Sequence, residues 1–319
     1  MSIVRGAART LSAVLMLATA GGTYGESYPD KPIRIVTIGI GSGTDVAARL
    51  VSQKMSASMG KPFVIDNRPS SNIPPDIVAH SLPDGYTLLV APNGFFYNPL
   101  LENVPYDPIK DFAPIAMLSN APGILVVSPT LAVNSVAELI ALAKAKPGAL
   151  NYASAQAGGS GHLTAELFKS MAGVNIVRVA YKATNLAIPD VISGQVQMMF
   201  ENPAVMVPLM KQGKMKGLAV TSLKPTPLVP GLPPVAETLP GFEMVSTVAM
   251  FAPARTPPSI IKRLNEESTR ALNDPEVKEK FTNSGLIAIG GKPEELAAWM
   301  KSAMASMGKV IKEAGIRVN

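Results

Sequence analysis

Short apolar runs alternate along this chain with longer segments of helical periodicity, and this alternation limits the folds open to it. The β-branched run Ile33–Ile38 is typical of a buried parallel strand, and Asp45–Met59 carries its apolar residues on one helical face. Further strands are predicted at Phe63–Asp66, Tyr86–Ala91, Ile124–Ser128, Leu150–Ala153, Ile176–Val179, Val196–Phe200, Leu218–Thr221 and Val245–Ala252. Further helices are predicted from Ser135 to Lys146, at His162–Ala172, Thr184–Ser193, Ala204–Gln212 and Pro257–Asn273, and after Pro293. The pattern indicates an α/β fold of mostly parallel sheets with crossover helices.

The N-terminus has the form of a secretory signal peptide over residues 1–20. Residues 1–9 contain Arg5 and Arg9 and no acidic residue. The apolar run Leu11–Ala20 that follows ends in an A-x-A triplet. This run is too short to cross a bilayer core, which needs about 20 residues. The chain contains no cysteine, so it has no disulfide and no lipoprotein anchor. We therefore expect export to the bacterial periplasm, with cleavage after Ala20 or, alternatively, after Gly25.

The charge of the chain is mildly positive and spread out. The formal net charge is +6 at pH 7, and no basic run is interleaved with aromatic residues. Nucleic acid is therefore not expected as a partner. With 319 residues, of which 47% are hydrophobic, the chain can form one large or two medium domains with a substantial core.

Two predicted strand-to-helix turns consist mainly of glycine and small polar residues. The first loop, Gly39–Asp45, supplies the candidate ligand-binding residues Gly39, Ile40, Gly41, Ser42, Gly43, Thr44 and Asp45. The second loop, Ser154–His162, supplies Ser154, Gln156, Gly158, Gly159, Ser160 and His162. A helix N-terminus presents free N–H groups to an anion, and glycine allows close approach to the backbone. Two such loops facing one cleft would suit a small carboxylate, although each could also be an ordinary connection.

Four further candidates follow the ends of predicted strands, where open α/β sheets bind ligands. They are Asn93, Tyr181, Lys182 and Asn202. Lys182 could be the charge partner of an acidic ligand or simply a solvated side chain. Asp45 in the first loop has two alternatives as well, since it could cap the helix or accept a hydrogen bond from a ligand.

An enzyme is the main alternative to a binding protein, but the sequence lacks the common motifs for dinucleotide binding, nucleophilic catalysis and metal binding. The glycines at 39, 41 and 43 do not satisfy the dinucleotide pattern G-x-G-x-x-G. The chain has no cysteine nucleophile, no G-x-S-x-G motif and only two histidines, His80 and His162. The widely separated histidines do not indicate a metal site. We expect no catalytic residue, no metal and no cofactor.

The order and spacing of several short motifs resemble those of one family over nearly the whole chain. These motifs are Tyr28-Pro29-Asp30-Lys31-Pro32-Ile33-Arg34, Asn67-Arg68-Pro69, Pro83-Asp84-Gly85-Tyr86-Thr87, Pro105-Tyr106-Asp107-Pro108, Asn151-Tyr152-Ala153-Ser154, Tyr181-Lys182 and Leu218-Ala219-Val220-Thr221-Ser222. The chain resembles the Bug-type solute receptors, the periplasmic substrate-binding proteins of tripartite tricarboxylate transport systems.

This resemblance implies a type II periplasmic binding-protein fold, with two lobes around a ligand cleft. We expect lobe 1 at 26–122 plus 248–319, and an inserted lobe 2 at 123–247. The resemblance also implies a monomer that closes by hinge motion on a small carboxylate and delivers it to membrane permease subunits. A receptor that reports its ligand to a signalling partner is the second alternative.

The chain departs from the pattern of this family at three places expected to contact ligand. The family usually has Pro-Phe where this chain has Thr37-Ile38, and a second glycine where it has Ser42. A Gly-Ala-Gly-Gly stretch is usual where this chain reads Ser70-Ser71-Asn72-Ile73, and Ala183 replaces the glycine that usually follows Tyr181-Lys182.

Overall fold

The computed structural model describes residues 28–155 and 158–316, which form two β-sheets flanked by helices. The first sheet contains β1 (Ile33–Ile38), β2 (Phe63–Arg68), β3 (Thr87–Pro92), β4 (Phe112–Pro122), β10 (Val245–Pro253) and β11 (Ile287–Gly290), in the order β11-β4-β10-β3-β1-β2. The second contains β5 (Ile124–Val127), β6 (Asn151–Ser154), β7 (Val177–Ala180), β8 (Met198–Glu201) and β9 (Lys216–Val220), in the order β7-β6-β8-β5-β9.

Helices connect these strands and cover the sheets. They are α1 (Gly43–Met59), α2 (Ile73–Ala79), α3 (Gly94–Leu101), α4 (Val136–Ala145), α5 (Ser160–Ala172), α6 (Thr184–Ser193), α7 (Pro203–Lys211), α8 (Pro258–Asn273), α9 (Pro275–Asn283) and α10 (Pro293–Glu313). The α/β class is confirmed. The predicted signal peptide, residues 1–20, lies outside the described residues. No helix within the described ranges is long and apolar enough to span a membrane.

Most strands in each sheet run in one direction, as predicted, but both sheets are mixed. In the first sheet β3, β1 and β2 are parallel, whereas β10 is antiparallel to β3 and β4, and β11 is antiparallel to β4. In the second sheet β7, β6 and β8 are parallel, and β5 is antiparallel to β8 and β9. Apolar runs indicate that a strand is buried, but they do not indicate its direction.

Five elements were not predicted: α2, α3, β4, α9 and β11. The strand β4 is 11 residues long and contains Pro114 and Pro122, which argue against a strand when only the sequence is considered. Register shifts in its pairing with β10 accommodate the irregular run. Pro74 and Pro75 argue against a helix at α2 when only the sequence is considered. Proline is nevertheless well tolerated in the first turn of a helix, where α2 has both.

The chain crosses between the sheets at two points, and hydrogen bonds tie these points together. Gly123 joins β4 to β5, while Thr221 follows β9 and Met244 precedes β10. The fully buried Thr221 hydroxyl accepts a hydrogen bond from the Gly123 N–H at 2.7 Å and donates to the Met244 carbonyl at 2.5 Å. The Thr221 N–H donates to the Gly123 carbonyl at 2.9 Å. We call Gly123, Thr221 and Met244 the crossing cluster.

One hydrophobic core continues across both sheets. It contains Leu89 and Phe251 from the first sheet, Leu125 and Phe200 from the second, and Met307 from α10. The C-terminal helix α10 packs against both α3 and α5. The two sheets therefore share a packed base.

Candidate functional site

The N-terminus of α5 lines three neighbouring cavities, two of which lie between the two sheets. The cleft cavity, about 220 Å³, is lined on one side by Gly158, Gly159 and Ser160, and on the other by Asn93 and Gly94 at the start of α3. The loop cavity, about 220 Å³, includes Ser154 and His162, and the hinge cavity, about 170 Å³, includes Asn202 and the crossing cluster. Ser160 lines all three.

The second loop presents hydrogen-bond donors of its backbone to these cavities. Gly158 has a φ of 73°, a left-handed conformation that favours glycine, and Gly159 at the N-cap has an ordinary extended backbone. The first-turn N–H groups of Ser160 and Gly161 have no hydrogen-bond partner among the described residues. Such groups at a helix N-terminus attract an anion.

The neutral imidazole of His162 stabilises the second loop through a hydrogen bond. Its side chain is 7% exposed, and its Nδ1 accepts a hydrogen bond from the Gly158 N–H at 3.0 Å. Burial, together with the positive charge of Arg178, lowers the pKa of His162 to about 4. The acceptor role of Nδ1 places the ring proton on Nε2. His162 is therefore not a cationic partner for an acidic ligand at neutral pH.

Arg178, on β7, supports the second loop from its neighbouring strand. Its Nε donates to the Ser154 hydroxyl at 2.7 Å, and its Nη2 donates to the Ala155 carbonyl at 2.8 Å. Ser154 is 5% exposed, and its hydroxyl serves this contact. The prediction missed Arg178. The only feature of the sequence that could have indicated this role is an arginine within the apolar run of β7. The strand β7 pairs with β6, and β6 leads into the second loop.

The first loop is stabilised by Asp45, which is 3% exposed. Its carboxylate accepts hydrogen bonds from the Gly41 N–H at 2.9 Å, Arg49 Nε at 3.0 Å and Asn67 Nδ2 at 2.9 Å. Burial opposes ionisation, but these hydrogen bonds keep the pKa of Asp45 below its ordinary value. The alternative that Asp45 caps α1 is wrong, because the N-cap is Ser42, whose hydroxyl accepts a hydrogen bond from the Asp45 N–H at 3.2 Å.

The first loop does not line the cleft, loop or hinge cavities. This applies to all its candidates, namely Gly39, Ile40, Gly41, Ser42, Gly43, Thr44 and Asp45. Ile40 is 82% exposed. The backbone N–H groups of Gly43 and Thr44 have no hydrogen-bond partner among the described residues.

The remaining candidates divide between cavity walls and other positions. Asn93 lines the cleft cavity and donates to the Val245 carbonyl at 3.1 Å, and Asn202 lines the hinge cavity while capping α7. Tyr181 donates to Asp190 at 2.6 Å, and Lys182 is exposed. Neither lines these three cavities. Gln156 lies outside the described residues.

A polar wall opposite the second loop was not predicted. Ser71, Asn98 and Glu102 line the cleft cavity. Asn98 Nδ2 donates to Ser71 Oγ at 3.2 Å and to Asn72 Oδ1 at 2.8 Å, while Asn72 Nδ2 donates to Glu102 at 2.9 Å. Ser71 and Asn72 fall where the sequence departs from the family pattern, and this is the signal that could have found the wall. The lining of the cleft cavity includes no lysine or arginine.

Comparisons with known proteins connect this geometry to a family. The profile of the tripartite tricarboxylate transporter family receptors matches residues 47–316. A protein of Pseudomonas sp. strain P51, described as a UPF0065 protein in the tcbD-tcbE intergenic region, is 34% identical over 98% of this chain and 96% of its own length. Protein BugT of Bordetella pertussis is 31% identical over 95% of this chain and 96% of its own length.

Two solved structures from Rhodopseudomonas palustris contain carboxylates. Rpa4515 with adipate is 34% identical, with a TM-score of 0.71, and the match covers 91% of this chain and 99% of that one. MatC with bound malate is 28% identical, with a TM-score of 0.68, and the match covers 89% of this chain and 100% of that one. The predicted periplasmic binding-protein fold is confirmed. By profile, sequence and structure, this chain belongs to the tripartite tricarboxylate transporter receptor family.

Proposed function

We propose that this chain is a periplasmic receptor that captures a small carboxylate and delivers it to the membrane permease subunits of a tripartite tricarboxylate-type transporter. In this proposal the chain is exported with removal of residues 1–20, acts as a monomer and catalyses no reaction. Its lobes are 26–122 plus 248–319, and 123–247, with residues 245–247 at the boundary pairing with β4 of the first sheet. The observation that carries the proposal is that the N–H groups of Ser160 and Gly161, which have no hydrogen-bond partner among the described residues, face a cleft whose lining has no lysine or arginine.

The chemistry of the second loop supports a carboxylate as the ligand. The N–H groups of Ser160 and Gly161, without partners among the described residues, lie at the positive end of the α5 dipole, which favours a negative charge. Neutral donors held in place by Arg178 and His162 bind a carboxylate without requiring a salt bridge. Relatives solved with adipate and malate bind ligands of this class.

Closure would complete the site by adding the first loop. Gly43 and Thr44 offer two further N–H groups without partners among the described residues, but they lie outside the cavities lined by the second loop. A rotation about the crossing cluster would change the separation of the two loops while leaving each loop intact. We propose that the closed form holds the ligand between both loops.

The experiment compares a dicarboxylate with its diester in calorimetric titrations of the mature protein. Adipate and malate are the probes, and dimethyl adipate lacks the charge. Hydrogen bonds to a charged group contribute roughly 1.5–3 kcal/mol each, so the ester should bind at least about tenfold more weakly than adipate. Equal affinity for acid and ester, or no heat with a broad set of carboxylates, would contradict the proposal.

The Arg178→Lys variant provides a second, independent test by the same calorimetric titration. Lysine cannot reproduce the two-pronged contact with Ser154 and Ala155, so the second loop loses support and affinity for the carboxylate should fall about tenfold. Arg255→Lys, on an exposed loop remote from the cleft cavity, is the matched control and should bind as the unmodified chain does.

A further inference from the structure

A fourth cavity, which we call the rear cavity, adjoins the cleft cavity. It measures about 140 Å³ and is enclosed by α3, α5, α10 and the segment that leads into β10. Tyr97 and Met244 line both the rear cavity and the cleft cavity. None of the residues proposed above to bind the carboxylate lines the rear cavity, so it requires its own explanation.

The rear cavity contains one carboxylate without a counter-charge. Glu243 is half-buried and has no hydrogen bond or ion pair with any other described residue. No lysine or arginine lines the cavity. Burial raises the pKa of Glu243, as expected for a carboxylate that lacks a compensating partner. Burial, with the Glu243 charge as a second cause, raises the pKa of Tyr97, and both side chains line the rear cavity.

The other walls of the rear cavity suit an organic cation. Tyr97 and Trp299 present aromatic rings, and Ser302 and Ser306, one turn apart on α10, present hydroxyl groups that can accept hydrogen bonds. An ammonium group pairs with a carboxylate through charge-assisted hydrogen bonds, and its methyl or methylene groups pack on aromatic faces. A volume of about 140 Å³ has room for only a few non-hydrogen atoms.

We propose that the rear cavity is a binding site for a small organic ammonium ion, with the Glu243 carboxylate as counter-ion and the Tyr97 and Trp299 rings as walls. The site is separate from the carboxylate site and does not depend on the proposed function. Because Tyr97 also contacts Asn93 at the start of α3, an occupant of the rear cavity would touch a residue of the cleft wall.

The chain contains a single tryptophan, Trp299, so its fluorescence reports directly on this cavity. The purified protein is titrated, without any carboxylate ligand, with methylammonium chloride, and in parallel with sodium chloride at the same ionic strength. We expect a saturable change in tryptophan fluorescence with methylammonium alone. The same response to both salts, or no saturable response to methylammonium, would overturn the proposal.

Glu243→Gln is the decisive variant, because it keeps the shape of the side chain and removes its charge. It should fold normally, since it removes an unpartnered half-buried charge, and its apparent affinity for methylammonium should fall at least about tenfold. Glu237→Gln, an exposed position nearby in the sequence, is the matched control and should leave the titration unchanged. An unchanged titration in Glu243→Gln would exclude Glu243 as the counter-ion and overturn the assignment.

Discussion

Around both glycine-rich loops, ionisable side chains hold the loop backbone in place. Asp45 accepts from the Gly41 N–H, His162 accepts from the Gly158 N–H, and Arg178 donates to the Ala155 carbonyl. These contacts are made by the protein itself, so the chain holds the donors of the second loop in place at the cleft. A preorganised site loses less entropy when the ligand binds, which favours affinity from neutral donors.

The burial of neutral His162 predicts a specific dependence of stability on pH. Its pKa is about 4 in the folded chain against an ordinary value of 6.5, so between these values the unfolded state binds more protons. The free energy of unfolding should therefore fall by about 2 kcal/mol between pH 7 and pH 4.5 because of this group, and the loss should level off below pH 4.

Urea denaturation at these two pH values measures this loss. His162→Asn cannot be protonated there, so its unfolding free energy should fall less than that of the unmodified chain. His80→Asn is the control, because His80 has a side chain that is 73% exposed on the surface, and it should retain the full loss. Parallel pH profiles for the unmodified chain and His162→Asn would show that another group is responsible.

At the scale of elements, α5 links the second loop to the sheet beneath it. Its first turn lies against the end of β8, where a Cβ added at Gly161 would come within 3.0 Å of the Phe200 carbonyl oxygen. A backbone oxygen cannot move away as the tip of a flexible side chain can. The close packing of α5 on β8 therefore fixes where the N–H groups of the helix point.

Gly161→Ala should displace the start of α5 and destabilise the chain by about 1–3 kcal/mol, as overpacking does. Adipate affinity should fall with it, because the displaced N–H groups no longer meet the ligand. Gly94→Ala is the matched control, since it is also in a first helical turn but its Cβ would lie 3.8 Å from Asn98. That variant should be as stable as the unmodified chain. Urea denaturation of both variants checks the prediction, and equal effects would contradict it.

At the scale of the whole molecule, the two sheets are joined both by covalent crossings and by packing. The crossing cluster links the chain at Gly123, Thr221 and Met244, while α10 packs on both α3 and α5. Ser170 on α5 also donates to Glu313 on α10 at 3.1 Å. Closure is therefore expected to be a rotation about this shared base, with the open side of the cleft moving furthest.

Small-angle scattering should detect this closure. With adipate at a saturating concentration, the radius of gyration of the mature protein should decrease, because the two lobes approach each other around the ligand. Dimethyl adipate at the same concentration is the control and should produce a smaller decrease, because it binds more weakly. If calorimetry shows that adipate is bound and the two curves still superimpose, the closure proposed here does not occur.

Local features of this chain could be predicted from its sequence because their causes lie within a few residues. The helix α4 begins as predicted, with the Ser135 hydroxyl accepting from the Glu138 N–H at 3.1 Å. The strand β1 spans Ile33–Ile38 as predicted from its β-branched run. The α/β class and the family follow from the order of such elements and motifs along the chain.

Strand direction, the wall of the cleft and the pKa of His162 depend on contacts between residues distant in sequence. Arg178 meets the second loop only because β7 pairs with β6, and Ser71 meets it only across the space between the sheets. The β4 strand, with its prolines, forms because β10 and β11 pair with it on both edges. The sequence alone determined most of the elements and the family, whereas tertiary packing decided which groups face the cleft, because burial and charge pairing arise only when distant segments meet.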